Sequence, residues 1–120
     1  MTKKSAKVKV VGKQPQGGIL LASIPKTITG TKVAFPHRHS ATIDTGITVT
    51  VERGWKLCFS ISPDLAAKGM IATNAPGHLT EGRVALHLLN VGREIVEVKD
   101  GDPVAVCWVE PIHDFEWEQE

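Results

Sequence analysis

Residues 41–51 constrain the fold most: from Ala41 to Val51, Thr42, Thr48 and Thr50 alternate with Ile43, Ile47, Val49 and Val51. In an extended chain successive side chains point to opposite faces, so this period places the aliphatic residues on one face and the hydroxyls on the other. A helix would scatter the same residues around its circumference. The stretch therefore reads as a half-buried strand, despite the glycine at position 46. Strand patterning recurs at residues 8–11, 32–35, 55–61, 83–90, 93–99 and 104–109, and Ile19 to Ala22 form a short buried run. Gly12, the Pro15–Gly18 segment, Pro36, Arg53-Gly54, Asn74–Gly77, Val91-Gly92 and Asp100-Gly101 punctuate it. Only residues 62–68 lack strand alternation, and they predict one helical turn at most. Eight or so short strands at regular spacing define an all-β fold, a sandwich, jelly roll or barrel. No repeat, linker or low-complexity tract divides residues 1–120, which read as one β domain with a basic tail (1–7) and an acidic tail (111–120).

A net charge of +1 over 120 residues creates no field that would favour duplex DNA or a membrane surface. No apolar run approaches the roughly 20 residues of a membrane span. The basic start lacks the apolar stretch of a signal peptide. These features predict a cytoplasmic protein without nucleic-acid or membrane partners. The charge is nevertheless split. Lys3, Lys4, Lys7, Lys9 and Lys13 make the beginning basic, and Glu110, Asp114, Glu116, Glu118 and Glu120 make the end acidic. Solubilising termini are the simple explanation; ends that meet across a subunit contact are the other. Cys58 and Cys107 each sit in an apolar run and read as reduced, buried thiols, a disulfide requiring an oxidising compartment.

The residues alone carry little chemistry. His37 and His39, two apart beside Pro36, read as a solvated or interface loop rather than a metal set, and His78, His87 and His113 are scattered. Ser62 precedes Pro63 and lacks the tight glycine elbow of a serine nucleophile. Leu57, Phe59, Val106 and Trp108 flank the cysteines and would raise their thiol pKa values. Asp64 could cap the short helical turn, and Asp44 reads as a solvent-facing acid on a polar strand face. Neither a P-loop nor a dinucleotide fingerprint occurs. Backbone amides of the Asn74–Gly77 turn, with Ser62, Lys68 and Arg83, are the remaining candidates for holding phosphate, against the plainer reading of a hairpin with surface charges.

From Gly17 to Val109 the order of glycines and strands resembles the trimeric deoxyuridine triphosphatase (dUTPase) family. Thr45-Gly46-Ile47, followed by Glu52 to Trp55, resembles the family's Thr-Gly-Ile strand and its Pro-x-Gly turn, the best-kept piece. Gly17 to Ala22 stand for the Ala-Gly-Tyr-Asp-Leu segment, with Leu20 in place of the acid. Ile61-Ser62-Pro63 stand for Arg-Ser-Gly, and only the serine is kept. Gly77-His78-Leu79-Thr80-Glu81-Gly82 match the motif whose Asp orients the attacking water and whose Tyr stacks on the deoxyribose. Thr80 takes the Asp position, Glu81 is one residue out of phase and so on the other face, and the shortened turn leaves the Tyr without a counterpart. Gly101-Asp102-Pro103-Val104-Ala105-Val106 replace the Gly-Asp/Glu-Arg-Ile-Ala-Gln motif, and an acidic end replaces the glycine-rich arm.

The resemblance implies a dUTPase-like β-barrel or jelly-roll fold and a homotrimer, in a viral or bacteriophage setting that would put the protein in the host cytoplasm or a virion. It also implies lost catalysis, because phosphate cleavage needs a positioned water and positive charge on the developing oxyanion. No catalytic residue is assigned. The expected ligand-binding set is Ser62, Asp64, Lys68, Asn74, Gly77, His78, Thr80 and Arg83, with no metal of its own and magnesium entering only with a bound nucleotide triphosphate. Two binding functions follow: nucleotide sequestration in intersubunit clefts, or a structural and protein-interaction module docking on a phage or host protein through the Phe115/Trp117 tail or the His37–His39 loop. A nucleotide diphosphohydrolase with altered motifs is the alternative.

Overall fold

A computed structural model describes residues 5–26, 30–114 and 116–120. Ten strands and one helical turn follow in the order β1 (Val8–Val11), β2 (Ile19–Leu21), β3 (Lys32–Phe35), β4 (Ser40–Val51), β5 (Trp55–Ile61), α1 (Pro63–Ala67), β6 (Met70–Ala72), β7 (Gly77–Leu79), β8 (Glu81–Asn90), β9 (Val96–Lys99) and β10 (Pro103–Pro111). They build two four-stranded sheets, ordered β1-β4-β8-β6 and β2-β10-β5-β7, and a two-stranded ribbon of β3 and β9. Every pairing is antiparallel.

The alternation read from residues 41–51 becomes the backbone of the first sheet. Ile43, Ile47, Val49 and Val51 of β4 and Val84, Leu86 and Leu88 of β8 turn inward and are buried. Leu20, Leu57, Phe59, Val104 and Ala105 meet them from the second sheet, and Phe35, Val96 and Val98 close the core from the ribbon. Burying one such aliphatic side chain stabilises the fold by about 1.5–3 kcal/mol.

Gly46 explains how a glycine sits inside the longest strand. The β4–β8 register shifts between Asp44 and Thr48, and Gly46 takes φ +73° at this bulge, a left-handed conformation that favours glycine. A Cβ there would lie 2.9 Å from the Ser23 side chain, and one on Gly12 would lie 2.3 Å from the Gly46 carbonyl oxygen.

β6, β7 and β9 depart furthest from the sequence expectation, while β2, β4, β8 and β10 differ by one or two residues at their ends. β6 and β7, each three residues long, were not anticipated, since glycine and proline flank runs too short to show a period. β9 begins at Val96 rather than Arg93. The reason is Asn90, fully buried, whose side chain accepts from Gly92 N and donates to Glu94 O and Phe35 O, folding residues 91–95 into a turn. The helical turn at 63–67 falls where expected, capped by Ser62 rather than by Asp64.

Candidate functional site

The candidate residues fall into two groups. Ser62, Asp64 and Lys68 surround α1. Ser62 is buried, and its Oγ accepts from Leu65 N at 3.3 Å as the helix cap. Asp64 and Lys68 are exposed, joined through the backbone by Lys68 N donating to Asp64 O. The second group lies around β7 and the start of β8. Asn74 is spent on scaffolding: its Nδ2 donates to Ala85 O and its Oδ1 accepts from His87 N, both at 2.9 Å. Gly77 leaves no room for a side chain, since a Cβ would meet Asn74 O at 2.5 Å and the Phe59 ring at 3.0 Å. His78 is exposed opposite Cys58 on the outer face of the second sheet.

At Thr80 the chain crosses from one sheet to the other, between β7 on β5 and β8 on β4. Val51 N fixes this crossing by donating to Thr80 O at 2.8 Å, which leaves Thr80 exposed. Arg83 is exposed and ion-paired to Asp44, Nε to Oδ2 at 2.6 Å. Asp44 keeps a partly solvent-exposed carboxylate, as expected, and its Oδ1 also accepts from Gly46 N at 2.7 Å, so it braces the bulge.

No hydrogen bond or ion pair joins the two groups among the described residues. Their separation follows from register. Gly77 pairs with Phe59, three residues before Ser62 and about 10 Å away at 3.3 Å per residue, and Leu79, beside Thr80, pairs with Leu57, about 16 Å from it. Of the positions matched to family motifs, Leu20 is buried in the core, Ile61 is half-buried and Pro103 is exposed at the start of β10. Among the described residues no three His, Cys, Asp or Glu side chains converge in a way that could hold a metal ion.

The sequence did not flag a cluster on the outer face of the second sheet. Trp108 Nε1 donates to Glu110 Oε1 at 2.8 Å, and Lys56 Nζ lies 4.0 Å from the other carboxylate oxygen. The Trp108 hydrogen bond, aided by Lys56, Cys58 and His78, holds the Glu110 carboxyl below its usual range. Burial, followed by the Glu110 charge, pushes the Cys58 thiol up, and burial does the same to Cys107. These thiols are poor nucleophiles, as their apolar neighbours implied. The spacing of two between Trp108 and Glu110, which puts both on one strand face, is the signal that could have found the pair.

No protein-family model matches the chain. In sequence it is similar to the deoxyuridine 5'-triphosphate nucleotidohydrolase of Desulfotalea psychrophila, 30% identical over 79 residues, covering 62% of this chain and 53% of that protein. The enzyme of the same name from Ehrlichia canis is 31% identical over 81 residues, covering 64% of this chain and 53% of that protein. The chain therefore spans about half the length of these curated relatives. In shape it matches the dUTPase of phage phi11 of S. aureus, which coordinates a structural Mg(II) ion, with TM-score 0.73 at 12% identity over 95% of this chain and 96% of that one. The EIAV dUTPase matches with TM-score 0.71 at 13% identity over 95% and 96% of the two chains. The fold is that of the dUTPases, and in sequence the chain is similar to them over about two thirds of its length.

Proposed function

We propose that this dUTPase-like chain is a homotrimeric binding protein that does not hydrolyse dUTP, and that it serves as a protein-interaction module. The observation that carries this reading is Thr80, an exposed hydroxyl at the position where the resemblance expects the water-orienting carboxylate. A hydroxyl is neutral at pH 7 and cannot act as the acceptor for a proton from the attacking water. The guanidinium positions, Ile61 and Pro103, carry no charge, and Arg83 is already neutralised by Asp44. Magnesium enters this reading only with a bound triphosphate.

The homotrimer is supported by the shared fold with the dUTPases, the family whose trimers the sequence resembles. Protein interaction is favoured over nucleotide sequestration because three of the candidate polar groups are engaged within the chain: Ser62 as a cap, Asn74 as a brace and Arg83 in its ion pair. A regulatory role on this fold has a parallel in the Staphylococcus bacteriophage 80alpha dUTPase, described as controlling transfer of virulence genes by a G protein-like mechanism; it matches with TM-score 0.69 at 13% identity over 98% and 97% of the chains.

Thermal unfolding against a panel of nucleotides, with and without magnesium, tests the choice. Unchanged melting throughout is the expected result. Stabilisation by one nucleotide would replace the interaction module with sequestration, and turnover would restore the hydrolase.

A further inference from the structure

The sequence offered two docking segments, the Phe115/Trp117 tail and the His37–His39 loop. Phe115 lies outside the described residues, whereas the loop is built into one end of the first sheet. Arg38 N donates to Asn90 O at 2.7 Å, Asn90 N to His39 O at 3.0 Å, and His37 Nδ1 to Gly92 O. Val91 N and Gly92 N both donate to Gly69 O, at 3.0 and 3.2 Å. Three stretches of chain, 37–40, 68–71 and 89–95, therefore meet around Asn90. Arg38 is held there at φ +67°, a left-handed conformation uncommon for a residue with a side chain. Its backbone is fixed by these hydrogen bonds, and its side chain is exposed.

Two kinds of side chain gather at this end. Arg38, Lys68 and Arg93 are exposed, and none is ion-paired among the described residues, not even to the sequence neighbours Asp64 and Glu94. Elsewhere Lys32, Lys56 and Arg83 each have a carboxylate. Beside the three cations, Ile71 is 43%, Val91 51% and Ile95 66% exposed. Ile71 pairs with Leu89 across the outer face of the first sheet, Val91 follows two residues on, and Ile95 lines one open depression with Lys68. Aliphatic side chains scattered singly over a surface are ordinary; three that share a corner with unpaired cations mark a contact surface. Arginine recognises a carboxylate through two parallel hydrogen bonds, and apolar contacts beside such a pair exclude water from it. A segment with both acids and aliphatic side chains satisfies the whole corner. Nucleic acid fits less well, since no Phe, Tyr or Trp stands in these stretches to stack on bases. Anionic lipid also fits less well, because its recognition takes a cluster of roughly four to eight Lys or Arg.

We propose that this end of the first sheet is the docking surface of the interaction module, and that its partner is a protein segment carrying acidic and aliphatic side chains. Arg38 and Arg93 bind the carboxylates, and Ile71, Val91 and Ile95 take the apolar contacts. This rests on the protein-interaction reading and names its surface. The binding weakens with added salt.

Fluorescence anisotropy of a labelled Glu-Glu-Leu repeat peptide of about fifteen residues, titrated with the full-length protein, tests it. A Gln-Gln-Leu repeat, a single-stranded oligonucleotide and phosphatidylserine vesicles are the comparisons. The acidic peptide should bind in the micromolar range, and the neutral one at least about tenfold more weakly. Arg38→Gly/Arg93→Ala removes two charges, and glycine accepts the left-handed φ, so this variant should fold normally and bind at least about tenfold more weakly. Val91→Ser/Ile95→Ser should weaken binding as much. Lys9→Ala/Lys13→Ala, with the same loss of charge elsewhere, should stay within about twofold of wild type. No binding of the acidic peptide, or equal weakening by the two charge variants, would overturn the docking surface. So would tighter binding of the oligonucleotide or the vesicles that is lost in the same variants. The interaction-module reading fails separately: a nucleotide that raises the melting temperature removes it, whatever the peptide does.

Discussion

Arg83 Nε lies 2.6 Å from Asp44 Oδ2. This pair joins β8 to the bulge in β4, and it engages the guanidinium that the sequence offered as a phosphate partner. Both side chains are well exposed, at 60% and 36%, so the ion pair itself contributes little. Arg83→Ala should lower stability by about 0.5 kcal/mol. Asp44→Ala also removes the acceptor for Gly46 N and should cost about 1–2 kcal/mol. Urea unfolding of both variants separates the effects; equal losses would mean that the bulge hydrogen bond contributes nothing.

Asn90 is the costliest polar residue to replace. It is fully buried, and its side chain satisfies the Phe35 and Glu94 carbonyls and the Gly92 amide. Asn90→Ala leaves these groups without partners and should destabilise the protein by about 3 kcal/mol or more. Asn90→Asp should be no better, since a carboxylate cannot donate to either carbonyl. A loss under about 1 kcal/mol in chemical denaturation would contradict this account of the 91–95 turn.

The thiols set an alkaline limit. The folded-state pKa values of Cys58 and Cys107 are raised, so the native state holds these protons more tightly than the unfolded chain. Their contribution is complete below the unfolded thiol pKa and is lost as pH rises through the folded values, so stability should fall above about pH 9. At pH 8, alkylation of the native protein should be at least about tenfold slower than in denaturant. Glu110→Gln removes the charge that helps raise Cys58 and should speed its alkylation; slower alkylation would show that Glu110 does not act on the thiol.

Much of the fold was legible because burial in a sandwich is written at period two. Residues 8–11, 32–35 and 55–61 are strands within the expected bounds, and β4 begins one residue early at Ser40. The failures share a cause: β6, β7 and the start of β9 are set by contacts distant in sequence, such as Asn90 reaching Phe35 and Gly77 packed against the Phe59 ring, and these leave no periodic trace. The candidate site was less legible. Residue types named Ser62, Asn74 and Arg83, but whether each is free or spent depends on Leu65, His87 and Asp44, which only the folded chain brings to them. The Trp108–Glu110 cluster escaped because one sequence cannot tell which strand face is covered.

The central claim is that this fold is kept without its hydrolysis. Pyrophosphate release measured with excess dUTP and magnesium, for wild type and for Thr80→Asp, tests it most directly. Neither protein should release measurable pyrophosphate. The substitution returns a carboxylate to a shortened turn, and a misplacement of about 1 Å can cost on the order of 100-fold in rate even when every group is present. Robust turnover by the wild type would contradict the account and would make Glu81 or Asp64 the acid in place of the missing carboxylate.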